Sequence, residues 1–323
     1  MSFTSFARPL AAVVLGLCAA QPAWAAYPER PIKYVLSSGA GSAPDTLMRM
    51  VLQEVGQRMG ATFVVENRSG AAGLLAMQAI ANAEPDGYTV GHGNTQTLGI
   101  SPSLSPQSAT AAQRVDLIVQ VGYTANLLSV RPGLPVESVQ SLIDYAKAHP
   151  GKLVYASAGN GTSGHVGAEL FREMSGIEIV HAPYRSAPAG VNDVMAGHVD
   201  MVFDNMAGSL PFAKEGKLKA LAVTSAQRSA LIPELPTVSE AGVKGFEVTA
   251  WSGVIAPKGV PADRIEAINR AVNAVLKEPR IIQGMRDLGY EVAGGTSQSF
   301  TDMVMRERAK WAGVIKSSGA SID

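Results

Sequence analysis

Apolar positions fall into two alternating patterns along this chain. Ile32 to Leu36 is a short β-prone apolar run; the polar, glycine-bearing SSGAGSAPD follows, and TLMRMVLQEVGQRMG then repeats apolar residues at helical spacing. The same order of strand, glycine turn and helix start returns at Leu153 to Leu170, LVYASAGNGTSGHVGAEL. Around the first unit the pattern predicts a strand over 61–66, a helix over 70–82, a Pro85-Asp86-Gly87 turn and a strand over 88–92, a βαβαβ rhythm. Residues 93–113, rich in Ser, Thr, Pro and Ala, read as a loop with a short helix, and 115–121 and 126–130 as two separate strands leading out of a first lobe. A helix over 138–148 opens a second α/β rhythm. It continues with strands at 177–181, 199–203 and 218–224 and helices at 187–196 and 209–214. A short helix at 237–241 precedes a long β-prone run, 246–256, suited to carry the chain back. Helices over 261–277, 279–288 and 297–318, with a short strand at 291–293, then cover the first lobe. The expected division is lobe 1 at 26–125 plus 250–323 and lobe 2 at 126–249.

The first 25 residues stand apart. Arg8 supplies a positive start, Leu10 to Ala20 an apolar stretch and Ala23-Trp24-Ala25 a small-x-small cleavage site, so 1–25 reads as a secretory signal peptide. The apolar stretch is shorter than a bilayer span. Cys18, the only cysteine, lies inside it, after Leu17 where a lipoprotein signal prefers a small residue. The mature chain therefore folds by core burial without disulfides. With 27 Lys plus Arg against 27 Asp plus Glu, the chain is neutral, and no field draws it to nucleic acid or an anionic membrane.

The chemistry gathers at the two turns. Gly159, Gly161 and Gly164 allow a tight turn whose N–H groups converge, and a helix start capped by Thr162 or Ser163 adds partial positive charge, which together make an anion site. Gly39 and Gly41, with Ser42 as cap, Pro44 in the first helical turn and Asp45 on the dipole, repeat the arrangement. Two such turns, one per lobe, imply a clamp closed by a hinge. Gly159-x-Gly161-x-x-Gly164 also matches the dinucleotide fingerprint as a string, but Glu178 stands near the start of the next strand rather than its end. Ser163 and His165 with Asp193, Asp200 or Asp204 would make a serine hydrolase, although the Gly-x-Ser-x-Gly elbow is absent. Otherwise Ser163 caps and His165 donates to the anion or the loop. His92, His149, His165, His181 and His198 fall singly, without metal-ligand spacing, so no metal or cofactor is expected. Asp204-Asn205, a polar pair at a strand's end, faces a ligand crevice or caps a helix.

Ordered blocks across the whole mature chain carry a resemblance. They are YPERPI at 27–32, VVENRSGAAG at 64–73, PDGYTV at 85–90, YASAGNGTSGHVGAELF at 155–171, VDMVFDN at 199–205, GKLKALAVTSAQRS at 216–229, LPTVSEAG at 235–242 and APKGVP at 256–261. In these the chain resembles the extracytoplasmic solute-binding (Bug) receptors of the tripartite tricarboxylate transporter family. The resemblance implies an α/β, two-lobed, hinge-closing fold of the type II periplasmic binding protein kind. It implies a monomer that holds an organic carboxylate, aromatic or dicarboxylate included, and delivers it to membrane permease subunits without catalysis. Carried over by position, the ligand-binding residues are Ser38, Gly39, Ala40, Gly41 and Ser42 in the first turn, Asn94, then Ala158, Asn160, Thr162, Ser163 and His165 in the second, with Asp204 at the crevice. Relatives have Pro-Phe-x-Pro-Gly-Gly-x-x-Asp at the first turn; here Asp45 is kept and Ser38 replaces the aromatic. The expectation is a roomier or more polar pocket. A secreted hydrolase using Ser163 and His165, and a ligand-sensing partner of a signalling protein, are the alternatives.

Overall fold

The computed structural model describes residues 27–318; the expected signal peptide lies outside them. Three parallel strands, β1 (Ile32–Leu36), β2 (Phe63–Asn67) and β3 (Thr89–Asn94), are connected through α1 (Ala43–Met59) and α2 (Leu74–Ala81). Local chemistry bounds α1 at both ends. Ser42 accepts the Asp45 N–H at its start, and Gly60, at φ 65°, takes the left-handed conformation that closes it.

After β3 the expected loop is mostly helical. A π-helical segment (Thr95–Ile100), α3 (Ser101–Leu104) and α4 (Pro106–Gln113) occupy it. The segment has no amphipathic period to read. It is held by a capping box, in which Asn94 Oδ1 accepts Thr97 N–H at 2.8 Å, and by Arg308, whose Nε donates to the Leu98 carbonyl at 2.6 Å from 210 residues away.

The second α/β series comprises α5 (Val139–Ala148), β5 (Leu153–Ser157), α6 (Ser163–Ser175), β6 (Ile179–Pro183), α7 (Ala187–Ala196), β7 (Met201–Asn205), α8 (Met206–Lys214) and β8 (Lys219–Val223). The chain returns through β9 (Thr249–Pro257) and ends in α9 (Ala262–Val275), α10 (Pro279–Asp287), β10 (Glu291–Val292) and α11 (Ser297–Ser318). The helix expected at 237–241 is instead a set of turns, which Gly242 closes at φ 121°.

One strand joins the halves. β4 (Val115–Val130) is continuous where two strands were expected, because Gly122 to Ala125 pair with Ser252 to Thr249 of β9 rather than turning away. Register shifts near Ile118 and Val121 absorb the broken alternation. The far end of β4, Asn126 to Val130, pairs with β7 and β8, so the sheet runs β2-β1-β3-β9-β4-β7-β5-β6, with β8 and β10 also on β4.

Separate cores lie on the two halves. Tyr34, Val51, Val119, Val254 and Val272 pack in the first; Tyr155, Phe171, Phe203 and Phe246 pack in the second. The last helix belongs to both. Phe300 and Val304 of α11 bury beside Trp251 and Ile255, whereas Trp311, Val314 and Ile315 bury in the second core.

Candidate functional site

A cavity of about 170 Å³ lies between the halves at the C-terminal ends of the parallel strands. Its wall is built largely from helix starts. Ser38 and Pro44 come from the entry to α1, Asn94, Thr95 and Gln96 from the start of the π-helical segment, and Thr162, Ser163 and Gly164 from the start of α6. Ala187 opens α7, and Asp204 and Asn205 lead into α8. Five segments thus begin at one small space. Among the described residues, no Lys or Arg lines it. An anion placed there meets partial positive charge from several fixed dipoles and no mobile cation.

Gly164 permits this convergence. A Cβ there would stand 2.2 Å from the Phe203 carbonyl oxygen, so only glycine lets the start of α6 lie against β7. The N-cap of α6 is Thr162, whose Oγ1 accepts His165 N–H at 3.4 Å and donates to the Gly159 carbonyl at 2.8 Å. Ser163 does not cap. Its hydroxyl exchanges hydrogen bonds with the Asn126 amide at 3.3–3.4 Å, tying α6 to the crossing strand.

The N–H groups of Gly159 and Gly161 do not converge on the cavity. Gly159 donates to Ser157 Oγ at 3.1 Å and Gly161 to His165 Nδ1 at 3.2 Å. The first helical residues, Ser163 and Gly164, line the cavity instead. Ser163 and His165 share no hydrogen bond: each is engaged with a different partner, and His165 stacks on His181, ring centroids 4.4 Å apart.

The first turn is organised by Asp45. Its carboxylate accepts from Gly41 N–H at 2.8 Å, Arg49 Nε at 3.0 Å and Asn67 Nδ2 at 2.9 Å, and Asn67 Nδ2 also donates to the Ser38 carbonyl at 2.9 Å. These bonds hold the Asp45 carboxyl below the usual carboxylate range against the opposing effect of burial.

Of the expected ligand residues, Ser38, Asn94, Ala158, Thr162, Ser163 and Asp204 line the cavity; Gly39, Ala40, Gly41, Ser42, Asn160 and His165 are not among its lining residues. His92, Gln96, Trp251, Ser252 and Tyr290 also line it and were not singled out as ligand contacts from the sequence. They arrive by tertiary pairing, β9 bringing Ser252 opposite Asn94. A polar residue at a strand's end was the one available signal.

Three wall residues, Asp204, His92 and Tyr290, carry perturbed ionisation, burial raising the Tyr290 phenol above its ordinary value. Burial pushes the Asp204 carboxyl up to about 6, opposed by hydrogen bonds from Ser209 Oγ at 2.8 Å and the Asn205 N–H. Burial takes His92 down to about 4; its nitrogens lie 3.2 Å from Ser37 Oγ and 3.0 Å from Ser252 Oγ. Asn205 Oδ1 and Trp251 Nε1 are buried without a hydrogen-bond partner.

A continuous α/β sheet whose strand ends and helix starts enclose a cleft between two halves defines the periplasmic binding protein class. Residues 47–320 match the Tripartite tricarboxylate transporter family receptor, and the chain belongs to that family. Its fold is shared with a Rhodopseudomonas palustris protein, Rpa4515, solved with adipate: TM-score 0.84, 33% identity, 91% of this chain and 99% of that one. The periplasmic binding protein BugD matches with TM-score 0.80 and 30% identity over 91% of this chain and 99% of its own. MatC (Rpa3494) of R. palustris, solved with malate, gives TM-score 0.80 and 27% identity over 90% and 100%. The family is one of transport receptors, a non-enzymatic role.

Proposed function

We propose that this chain is a periplasmic receptor that captures an organic carboxylate between its lobes, 26–125 plus 250–323 and 126–249, and delivers it as a monomer to the permease subunits of a tripartite tricarboxylate transporter. The observation that carries the reading is the convergence of helix starts on a cavity with no Lys or Arg among the described residues that line it. Each charge-assisted N–H contact contributes ~1.5–3 kcal/mol, so a few from both lobes reach the ~8 kcal/mol of micromolar affinity after closure costs. The adipate and malate held by relatives support a carboxylate as ligand. Asn205 Oδ1 and Trp251 Nε1 are an acceptor and a donor that a polar ligand would satisfy. Residues 1–25 act as the export signal.

Ser38 in the wall, in place of an aromatic residue, favours a bulkier carboxylate such as an aromatic one. The test is thermal unfolding of protein refolded free of bound ligand, against C4, C6, tricarboxylic and aromatic acids. A ligand at ~100 times its Kd adds ~2.7 kcal/mol, a rise of a few degrees. No rise with any acid refutes the reading. Equal affinity for small C4 acids in the wild type and Ser38→Phe refutes the role given to Ser38.

A further inference from the structure

The second turn is held from behind by two imidazoles that do not line the cavity. His165 Nδ1 accepts Gly161 N–H, which fixes that ring as the Nε2-protonated tautomer. His181 Nε2 lies 2.7 Å from Ser157 Oγ, and that hydroxyl accepts Gly159 N–H. The two rings stack, and His181 stacks in turn on Tyr155 at 4.7 Å. Both glycines have positive φ, 109° and 77°, so the turn's path depends on what holds their N–H groups.

We propose that His165 and His181 are positioning residues: as neutral imidazoles they fix the backbone of 159–162 so that the start of α6 faces the cavity, and protonation of His165 removes the acceptor that holds Gly161 and weakens carboxylate binding. The last clause rests on the carboxylate reading; the positioning itself does not. Burial lowers the pKa of both rings, His181 to about 4.

The elements packed around the pair carry charged groups of their own. On α6, Glu169 favours protonation, but it is bonded to Tyr155 Oη of β5 at 2.7 Å and to Arg172. On α11, Glu307 and Lys310 pair with each other. Asp204 on the neighbouring β7 loses its charge near pH 6, an effect of opposite sign that cancels when variant and wild type are compared at one pH.

Long-range ¹H–¹⁵N NMR of the ligand-free protein reads the tautomers directly. The expected result is Nε2-protonated His165 at neutral pH and a Gly161 amide that shifts with the same apparent pKa, below the ordinary histidine value. Calorimetry with adipate then compares variants. His165→Asn, whose Oδ1 stands where Nδ1 stood, should stay within about 3-fold of wild type at neutral pH and lose less on acidification, whereas His165→Leu should weaken binding about 10-fold or more with an unchanged circular dichroism spectrum. An Nδ1-protonated His165, a Gly161 amide indifferent to the titration, or wild-type affinity in His165→Leu would overturn the proposal. Should neither adipate nor malate bind the wild type, those ligands count against the carboxylate reading, and the NMR result alone decides the positioning role.

Discussion

Asp204→Asn removes the one carboxylate among the described residues of the cavity wall while keeping its shape, and it should stabilise the protein in a pH-dependent way. Asp204 is 8% exposed, and its pKa is raised from 3.8 to about 6. Holding a carboxyl's pKa one pH unit above its ordinary value costs ~1.36 kcal/mol once the group ionises, so the folded state carries a penalty of about 3 kcal/mol at full ionisation. Because the folded-state value is the higher one, the penalty is absent below pH 3.8, where folded and unfolded chains both hold the proton; it grows as pH rises and is complete above about 6. Asparagine keeps an acceptor for Ser209 Oγ. With an unfolding entropy of ~2.1 cal/mol/K per residue, ~3 kcal/mol in a chain of this length is a rise in Tm of about 5 °C. Calorimetric melts of both proteins, stripped of ligand, near pH 8 and near pH 4 provide the check. A gain confined to the higher pH is expected. An equal shift at both, or destabilisation at the higher pH, would refute the argument that the buried charge is what costs.

Three further outcomes follow from the same geometry. His92, fully buried with a pKa near 4, makes the native state lose up to ~3 kcal/mol as pH falls from 6.5 to about 4, and urea titrations of His92→Gln should show a shallower loss over that window. Gly164→Ala drives a methyl against the Phe203 carbonyl and should cost roughly 1–3 kcal/mol together with carboxylate binding, read by melts and calorimetry. Trp311→Ala, emptying a fully buried site in the second core, should lower stability by ~3–5 kcal/mol in denaturant titrations even though the residue lies beyond the cavity.

The two strand-turn-helix units were legible because their determinants are local: an apolar run, glycines, a capping hydroxyl and a proline within about ten residues. Where the determinants are distant, the sequence was silent. Residues 95–113 are helical because Arg308 grips the Leu98 carbonyl and Asn94 caps the segment, not because of any apolar period. β4 is unbroken because β9 pairs along Gly122 to Ala125. At the cavity, glycine spacing pointed to a turn that lines it, but not to which N–H groups remain free. That depends on where the His165 and Ser157 side chains turn, and rotamers leave no trace in spacing. Trp251, Ser252 and Tyr290 reach the wall from a strand and a turn whose sequence announces only burial.

The absence of Lys and Arg among the described residues of the cavity wall also bears on where such a receptor can work. Surface ion pairs weaken as dissolved electrolyte accumulates around them, whereas backbone dipoles enclosed in a cleft are screened far less. Anion capture built on helix starts should therefore hold nearly constant between dilute freshwater and brackish media, and the ligand can depart without any guanidinium or ammonium having to be resolvated behind it.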